Sequence, residues 1–360
     1  MRATQSYLLA YGLCLLLIIC GCQIDVSSDD DAPDLPEITS YNDSGIFIAN
    51  NGNPKDGTSG TISFYERTRQ QVVNDIFQKA NNNKVLGSNV RQISVVEQQA
   101  YILVEDAEKI EIVQTSNFQS RGAVGGFERP QCFLALDNTK AYISQWGADG
   151  VNGSIKVLDL INKVVVKEIP TRSGPGQMVR KGNFVYLVNQ GGFVLDSVIS
   201  KIDISTDRIV KTIAVGAAPH SLQVDQNNHL WVLSRGVIDR ANPANSRPAK
   251  LVRISGDAIR FSLDLEAGAS DLVINRTKDQ LYFLNDGWIY RLGITETSLP
   301  AVPFLARSYT SLAIDPLTNH LVVADPRNLT VAGEVLIFDA QAQEISRFQA
   351  GVFPRHFWFE

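Results

Sequence analysis

Cysteine is scarce in this chain. Four occur in 360 residues, and three of them, Cys14, Cys20 and Cys22, lie within the first 22 positions. Only Cys132 remains beyond them, so no intramolecular disulfide framework can form there. Its setting, Gln131-Cys132-Phe133-Leu134, is apolar and strand-like, which fits a buried inert thiol better than a nucleophile. Basic charge is not in excess: 33 Lys and Arg face 38 Asp and Glu, for a net charge of -5, which argues against a nucleic-acid partner. The four histidines are scattered and no pair has zinc spacing. No glycine-rich loop follows a strand and opens a helix, so a phosphate-cradling loop is excluded. Past position 22 no apolar run is long enough for a membrane-crossing helix. Helical signals are few as well. Residues 75–80 allow one turn, which Asn81-Asn82-Asn83 and Gly87 then stop.

Short β-type runs fill the chain instead. Residues 204–234, ISTDRIVKTIAVGAAPHSLQVDQNNHLWVLS, hold three of them between two turns. Apolar and polar residues alternate over 208–214, with β-branched residues at the apolar places. Residues 215–219 break that run, and Asp225-Gln226-Asn227-Asn228 turns the chain tightly into the next strand.

The pattern recurs. Phe47, Tyr101, Tyr142, Tyr186, Trp231, Tyr282 and Val322 fall in register on one strand of each repeat. From Tyr101 to Val322 the steps are 41, 44, 45, 51 and 40 residues, a period that marks propeller blades. The strand after it recurs as TISFY, KIEIV, SIKVLD, SKIDI, KLVRI, WIYRL and EVLIFD; the strand before it as RQISVV, QCFLAL, QMVRK, SLQVD, DLVIN, SLAID and RHFWFE. The last of these sits at the C-terminus but belongs before Phe47. The sequence therefore predicts an all-β fold, a seven-bladed β-propeller over residues 44–360, closed by its C-terminal strand. Closure removes two exposed strand edges.

The first 21 residues read as a signal peptide, with Arg2 ahead of an apolar run over 8–20. Ile19-Cys20-Gly21-Cys22 resembles a bacterial lipobox, which makes Cys22 the expected lipidation site. Acyl chains anchor at about 0.8 kcal/mol per buried methylene, so several chains hold firmly. Residues 22–43 follow as an acidic, proline-containing tether that cannot bury a core. Gln23 after the cysteine is compatible with outer-membrane sorting, and an acidic run in this place resembles the export signal of surface-facing lipoproteins. The expected location is the outer membrane, lipid-anchored and facing outward.

On ISTDRIVKTIAVGAAPHSLQVD and KVLDLINKVVVKEIP the domain resembles the YVTN-repeat, YncE-like seven-bladed propellers. With the lipobox, the acidic tether, LAIDPLTNHLVVADPRN and the ending AGVFPRHFWFE, it is similar to surface lipoproteins that accompany TonB-dependent outer-membrane transporters, BtuG-like cobalamin binders among them. The resemblance implies a small-molecule ligand, with a corrinoid such as cobalamin as a candidate, and a TonB-dependent transporter as partner. It carries over no ligand motif residue by residue.

Loop lengths indicate which face works. With strands a to d counted outward from the axis, the a–b and c–d turns are short, as at 137–139, 181–182, 162–163 and 256–257. The b–c loops, 50–59, 145–152, 189–196, 234–248 and 324–332, are long and share the other face. Long loops on a rigid scaffold are where function concentrates. They present Trp146, Phe193, Arg235, Arg247 and Arg327, the residues expected to bind ligand, together with Asp239, Arg240 and Asp325. The d–a connections of that face add Arg129, His220, Arg307, Tyr309 and Arg355. Arginine beside aromatics suits an amide-rich or phosphate-bearing ligand, or a protein surface. Asp149, Asn152, Asp325 and Asn328 could offer oxygens to calcium, but without EF-hand spacing, so no metal is expected. No acid–base pair or Ser-His-Asp set stands out, so no cofactor and no catalysis are expected. The expected function is capture of a small nutrient or cofactor, passed to an outer-membrane transporter. A protein-interaction platform, or a lactonase-like or lyase-like propeller enzyme, are the alternatives.

Overall fold

The aligned residue of each repeat is a core residue in the structure, a computed structural model that describes Ser40, Tyr41 and residues 44–360. Exposure is 6% or less at Phe47, Tyr101, Tyr142, Tyr186, Trp231, Tyr282 and Val322. Each lies on the second strand of a sheet, and those strands are buried over nearly their whole length. A strand covered on both faces needs apolar residues in succession, as in Phe184–Asn189 and Leu230–Ser234. The signal peptide, Cys22 and most of the tether lie outside the described residues. Tyr41 is an exception. It sits 5.2 Å from the Phe64 ring and 5.8 Å from the Phe118 ring, buried on the first two blades.

Seven antiparallel sheets follow one another around an axis. Six have four strands. The sixth blade, Ser270–Ile274, Gln280–Asn285 and Trp288–Gly293, has three, and its outer strand is reduced to one bridge between Ile289 and Leu305. Pro300 and Pro303 flank this segment, and proline cannot donate to a ladder. The helix expected over 75–80 is the single turn Ile76–Ala80.

The ring closes as the repeats predicted. The C-terminal strand Pro354–Phe359 lies innermost in the first blade, with Ile46 opposite Phe359 and Ile48 opposite Phe357. Arg67 clasps the seam: Nη1 donates to the Glu360 carbonyl at 2.8 Å, and Nε to Asp315 of the seventh blade at 2.9 Å.

Side chains also staple adjacent inner strands. Gln92 donates to the Phe133 carbonyl and accepts from the Phe133 amide, both at 2.9 Å. Gln177 accepts from the Leu222 amide at 2.6 Å, and Ser221 from the Leu272 amide at 3.0 Å. On the short-turn face, the Thr139 hydroxyl donates to Asp137 and the Ser205 hydroxyl to Asp203, and these two and Asp159 also accept backbone N–H bonds within their own turns, which together hold their carboxyls below the usual range. These aspartates therefore serve the turns.

Candidate ligand site at the mouth of the axial channel

Every inner strand starts at the long-loop face, and four of them start at proline: Pro130–Ala135, Pro175–Lys181, Pro219–Val224 and Pro354–Phe359. The residue before is in the left-handed region, with φ 52° at Arg129, 62° at Gly174, 53° at Ala218 and 55° at Phe353. The register slips just after, so the second strand residue is a bulge. A bulge re-aims a side chain. Here Arg91, Gln131, His220 and Arg355, with Asp271 of the sixth blade, line the mouth of an axial channel of about 710 Å³. In the fourth blade the equivalent place is Gly176. A Cβ there would stand 1.9 Å from Gln190 Nε2, so the missing side chain lets Gln190, from the b–c loop, take the place on the wall. Arg235 and Trp146, the first residues beyond their second strands, complete the mouth. Deeper, past Gln92, Gln177, Ser221 and Ser311, the lining turns mostly apolar, with Val95, Ala135, Val273, Ile274, Ala313 and Ile314 beside Ser94 and Gln223.

Several polar atoms of this wall lack partners. Trp146 Nε1, His220 Nδ1 and His356 Nδ1 are buried with no hydrogen-bond partner among the described residues. Burial pushes the His220 imidazole down to about 4; Asp271 pulls it upward, and Arg235 and Arg355 push it further down. Burial likewise takes His356 to about 4, helped by Arg355. Both are neutral at pH 7. Arg355 makes no ion pair among the described residues, and burial, then Arg91, lowers its affinity for its proton. Arg91 is paired with Glu105. Cys132 also faces the channel, and burial raises its thiol to about 11, so it stays protonated.

The five predicted ligand residues divide. Trp146, Phe193 and Arg235 come together at the mouth. The Trp146 and Phe193 rings meet edge to face at 6.2 Å, and the Arg129 guanidinium lies 4.7 Å from the Phe193 ring centre. Phe193 is 62% exposed, so it offers free ring area. Arg247 and Arg327 stand elsewhere. Arg247 lines a separate groove of about 440 Å³ with Asp264 and Glu266. Arg327 is paired with Glu334. Arg307 is paired with Asp325 at 2.9 Å, and Tyr309 is buried. Asp239 accepts from the Ala241 and Asn242 amides of its own loop, and Asp149 from those of Val151 and Asn152. Arg91, Gln131, Gln190 and Asp271 were missed. For Gln131 the usable signal was its place after Pro130, matched by the residues after Pro175, Pro219 and Pro354, which open four of the inner strands; Arg91, Gln190 and Asp271 carried no such mark.

The short-turn face has a cavity of about 420 Å³ beside Lys201. Its charges already serve each other: Lys201 Nζ lies 2.9 Å from Asp257, with Lys211 at 3.7 Å, and Tyr186 donates to the same carboxylate at 3.3 Å.

The class is thus a seven-bladed β-propeller whose polar, incompletely paired channel mouth opens on its long-loop face. The chain belongs to the family described as Domain of unknown function (DUF5074), whose model matches residues 44–360. No curated protein matches it in sequence. Among solved structures it is similar to a quinonprotein alcohol dehydrogenase-like protein from Bacteroides thetaiotaomicron, at 13% identity, TM-score 0.65, and 89% and 79% coverage of this chain and that one. It is similar to the periplasmic gluconolactonase of Pseudomonas aeruginosa, at 11% identity, TM-score 0.64, and 88% and 99% coverage. A functionally unknown protein from Desulfotomaculum acetoxidans matches at 9% identity, TM-score 0.64, and 88% and 98% coverage. At these identities the likeness shows the fold alone.

Proposed function

We propose that this protein is a lipid-anchored binding protein that captures a small molecule at the mouth of its axial channel and passes it to an outer-membrane transporter. The observation that carries this reading is the set of polar atoms without partners among the described residues, Trp146 Nε1, His220 Nδ1 and His356 Nδ1, on the wall of a channel that opens among the long loops beside Arg355. Buried polar groups left without partners are costly, and a ligand that satisfies them gains that energy. The scaffold is rigid, so little ordering opposes binding. Cobalamin is the first ligand to test, because the resemblance implies it. Transporter docking finds support in the apolar loop tips of the same face, where Phe193, Val194, Leu195, Ile238, Leu329 and Val331 are all more than 40% exposed. Those tips equally favour a second reading, a protein-interaction platform without small-molecule capture.

Calorimetry with cobalamin, other corrinoids and haem tests the proposal. Trp146→Ala or Arg235→Ala should weaken any hit by about 2 kcal/mol while the fold survives. Changes at Asn138, Lys181, Asn227 and Lys278 on the short-turn face should leave it unaltered. Loss of binding through the latter set alone would place the working face on the wrong side. Recovery of a protein partner with no small-molecule binding would replace capture by the platform.

A further inference from the structure

Three arginines, Arg91, Arg235 and Arg355, stand at one mouth, contributed by the second, fifth and first blades. Their counter-charges are Glu105, which pairs with Arg91, and Asp271. Arg235, Arg355 and Asp271 make no ion pair among the described residues; the Asp271 carboxylate accepts one hydrogen bond, from Ser270 Oγ at 3.1 Å. In the channel lining with its ion pair, three cations against two carboxylates leave one net positive charge; Arg129 stands outside that lining, against the Phe193 ring. Arg355 is half-buried whereas Arg235 is exposed, and burial raises the electrostatic value of a charge that meets its opposite there. Around it stand the unpaired indole N–H of Trp146, which can only donate, and the amides of Gln131 and Gln190.

Below this ring come Gln92, Gln177, Ser221 and Ser311, and beyond them, beside Ser94 and Gln223, the wall is mostly apolar. Val95, Ala135, Ile274, Ala313 and Ile314 face the same cavity and hold no polar side-chain atom. A bare inorganic anion would satisfy the arginines and leave that surface wet. A neutral apolar molecule would fill the lower wall and cover the half-buried Arg355 without pairing it, at the cost of its desolvation.

Resting on the capture reading above, we infer that the channel takes an organic acid carrying a single negative charge. Its carboxylate lies against Arg355 and Arg235 at the mouth, and its apolar body runs along the axis. Monocarboxylate is the class because the net charge of the channel lining is one. A phosphate monoester, close to doubly charged at pH 7, would bring its second charge towards Asp271 and Glu105.

Calorimetry on the full propeller with four probes tests this: octanoate, octanamide, octyl phosphate and acetate. Octanoate should bind at least tenfold more tightly than each of the other three. The apolar body separates it from acetate, the charge from octanamide, and the single charge from octyl phosphate. Arg355→Gln should weaken octanoate at least tenfold and leave octanamide unaltered. Arg235→Gln, at an exposed loop position, should weaken octanoate several-fold, and it carries the test if the Arg355 variant fails to fold. Asp271→Asn should bring octyl phosphate closer to octanoate. Equal affinity for octanoate and octanamide, absence of octanoate binding, or indifference of octanoate to both arginine changes overturns the inference. Where a neutral corrinoid still binds and responds to Trp146→Ala, the acid class alone has failed. Where neither a corrinoid nor any of the four probes binds, the capture reading has failed with it.

Discussion

Substituting Phe357 by alanine tests the ring closure directly. Phe357 lies on the C-terminal strand, 6% exposed, opposite Ile48. Its cluster joins Ile46, Ile48 and Tyr65 of the first blade to Val322, Ala324 and Val335 of the seventh. Truncating a buried phenylalanine removes its transfer free energy and leaves a cavity, at a cost of roughly 3–5 kcal/mol. With a urea slope near the top of the usual range, about 3 kcal/mol per molar, the midpoint should fall by roughly 1–1.7 M. Val302→Ala, at a side chain 75% exposed, is the matched control and should change stability by about 0.5 kcal/mol or less. Deleting residues 354–360 removes the whole strand and with it every partner in the register from Ile46–Phe359 to Asn50–Pro354. It also removes the carbonyl that Arg67 holds. The cost should approach the total stability of an ordinary domain, about 5–15 kcal/mol, so soluble folded protein should be lost. A truncated chain that melts like the full one, or a Phe357→Ala midpoint within 0.3 M of wild type, would refute the closure argument.

Acid should weaken the fold through the channel imidazoles. His220 and His356 fall from 6.5 to about 4 on folding, so between these values the unfolded chain binds protons that the folded one does not. Their contribution is complete above pH 6.5 and is lost as pH falls to about 4, at most about 3 kcal/mol each. Urea midpoints at pH 7, 5.5 and 4.5 should fall in that order, and His220→Gln with His356→Gln should flatten the slope; identical slopes in variant and wild type would contradict the burial argument. Mass spectrometry of protein purified from membranes should find Cys22 as an acylated N-terminus, and an unmodified chain beginning elsewhere would remove the anchor.

The sequence by itself determined the architecture. Strand alternation and the tight Asp-Asn turns are local, and seven copies of one local pattern leave a ring as the way to pair every edge. RHFWFE could be placed before Phe47 because it repeats the strand that each other blade carries there. That the long loops share one face was legible too, since loop length reads directly from the spacing between strands. Tertiary structure decided what the mouth contains. Arg91, Arg235 and Arg355 lie far apart in the chain and meet only because the inner strands converge on one axis. Whether an arginine is free or paired depends on neighbours from other loops: among the described residues Arg235 finds no ion-pair partner, whereas Arg327 finds Glu334 and Arg307 finds Asp325. Gly176 reads as an ordinary turn or strand glycine until the fold brings Gln190 into the place of its side chain. Local pattern sets strands and turns, because those depend on residues a few positions apart. Charge pairing and channel lining depend on distances between blades, and those exist only once the ring has closed.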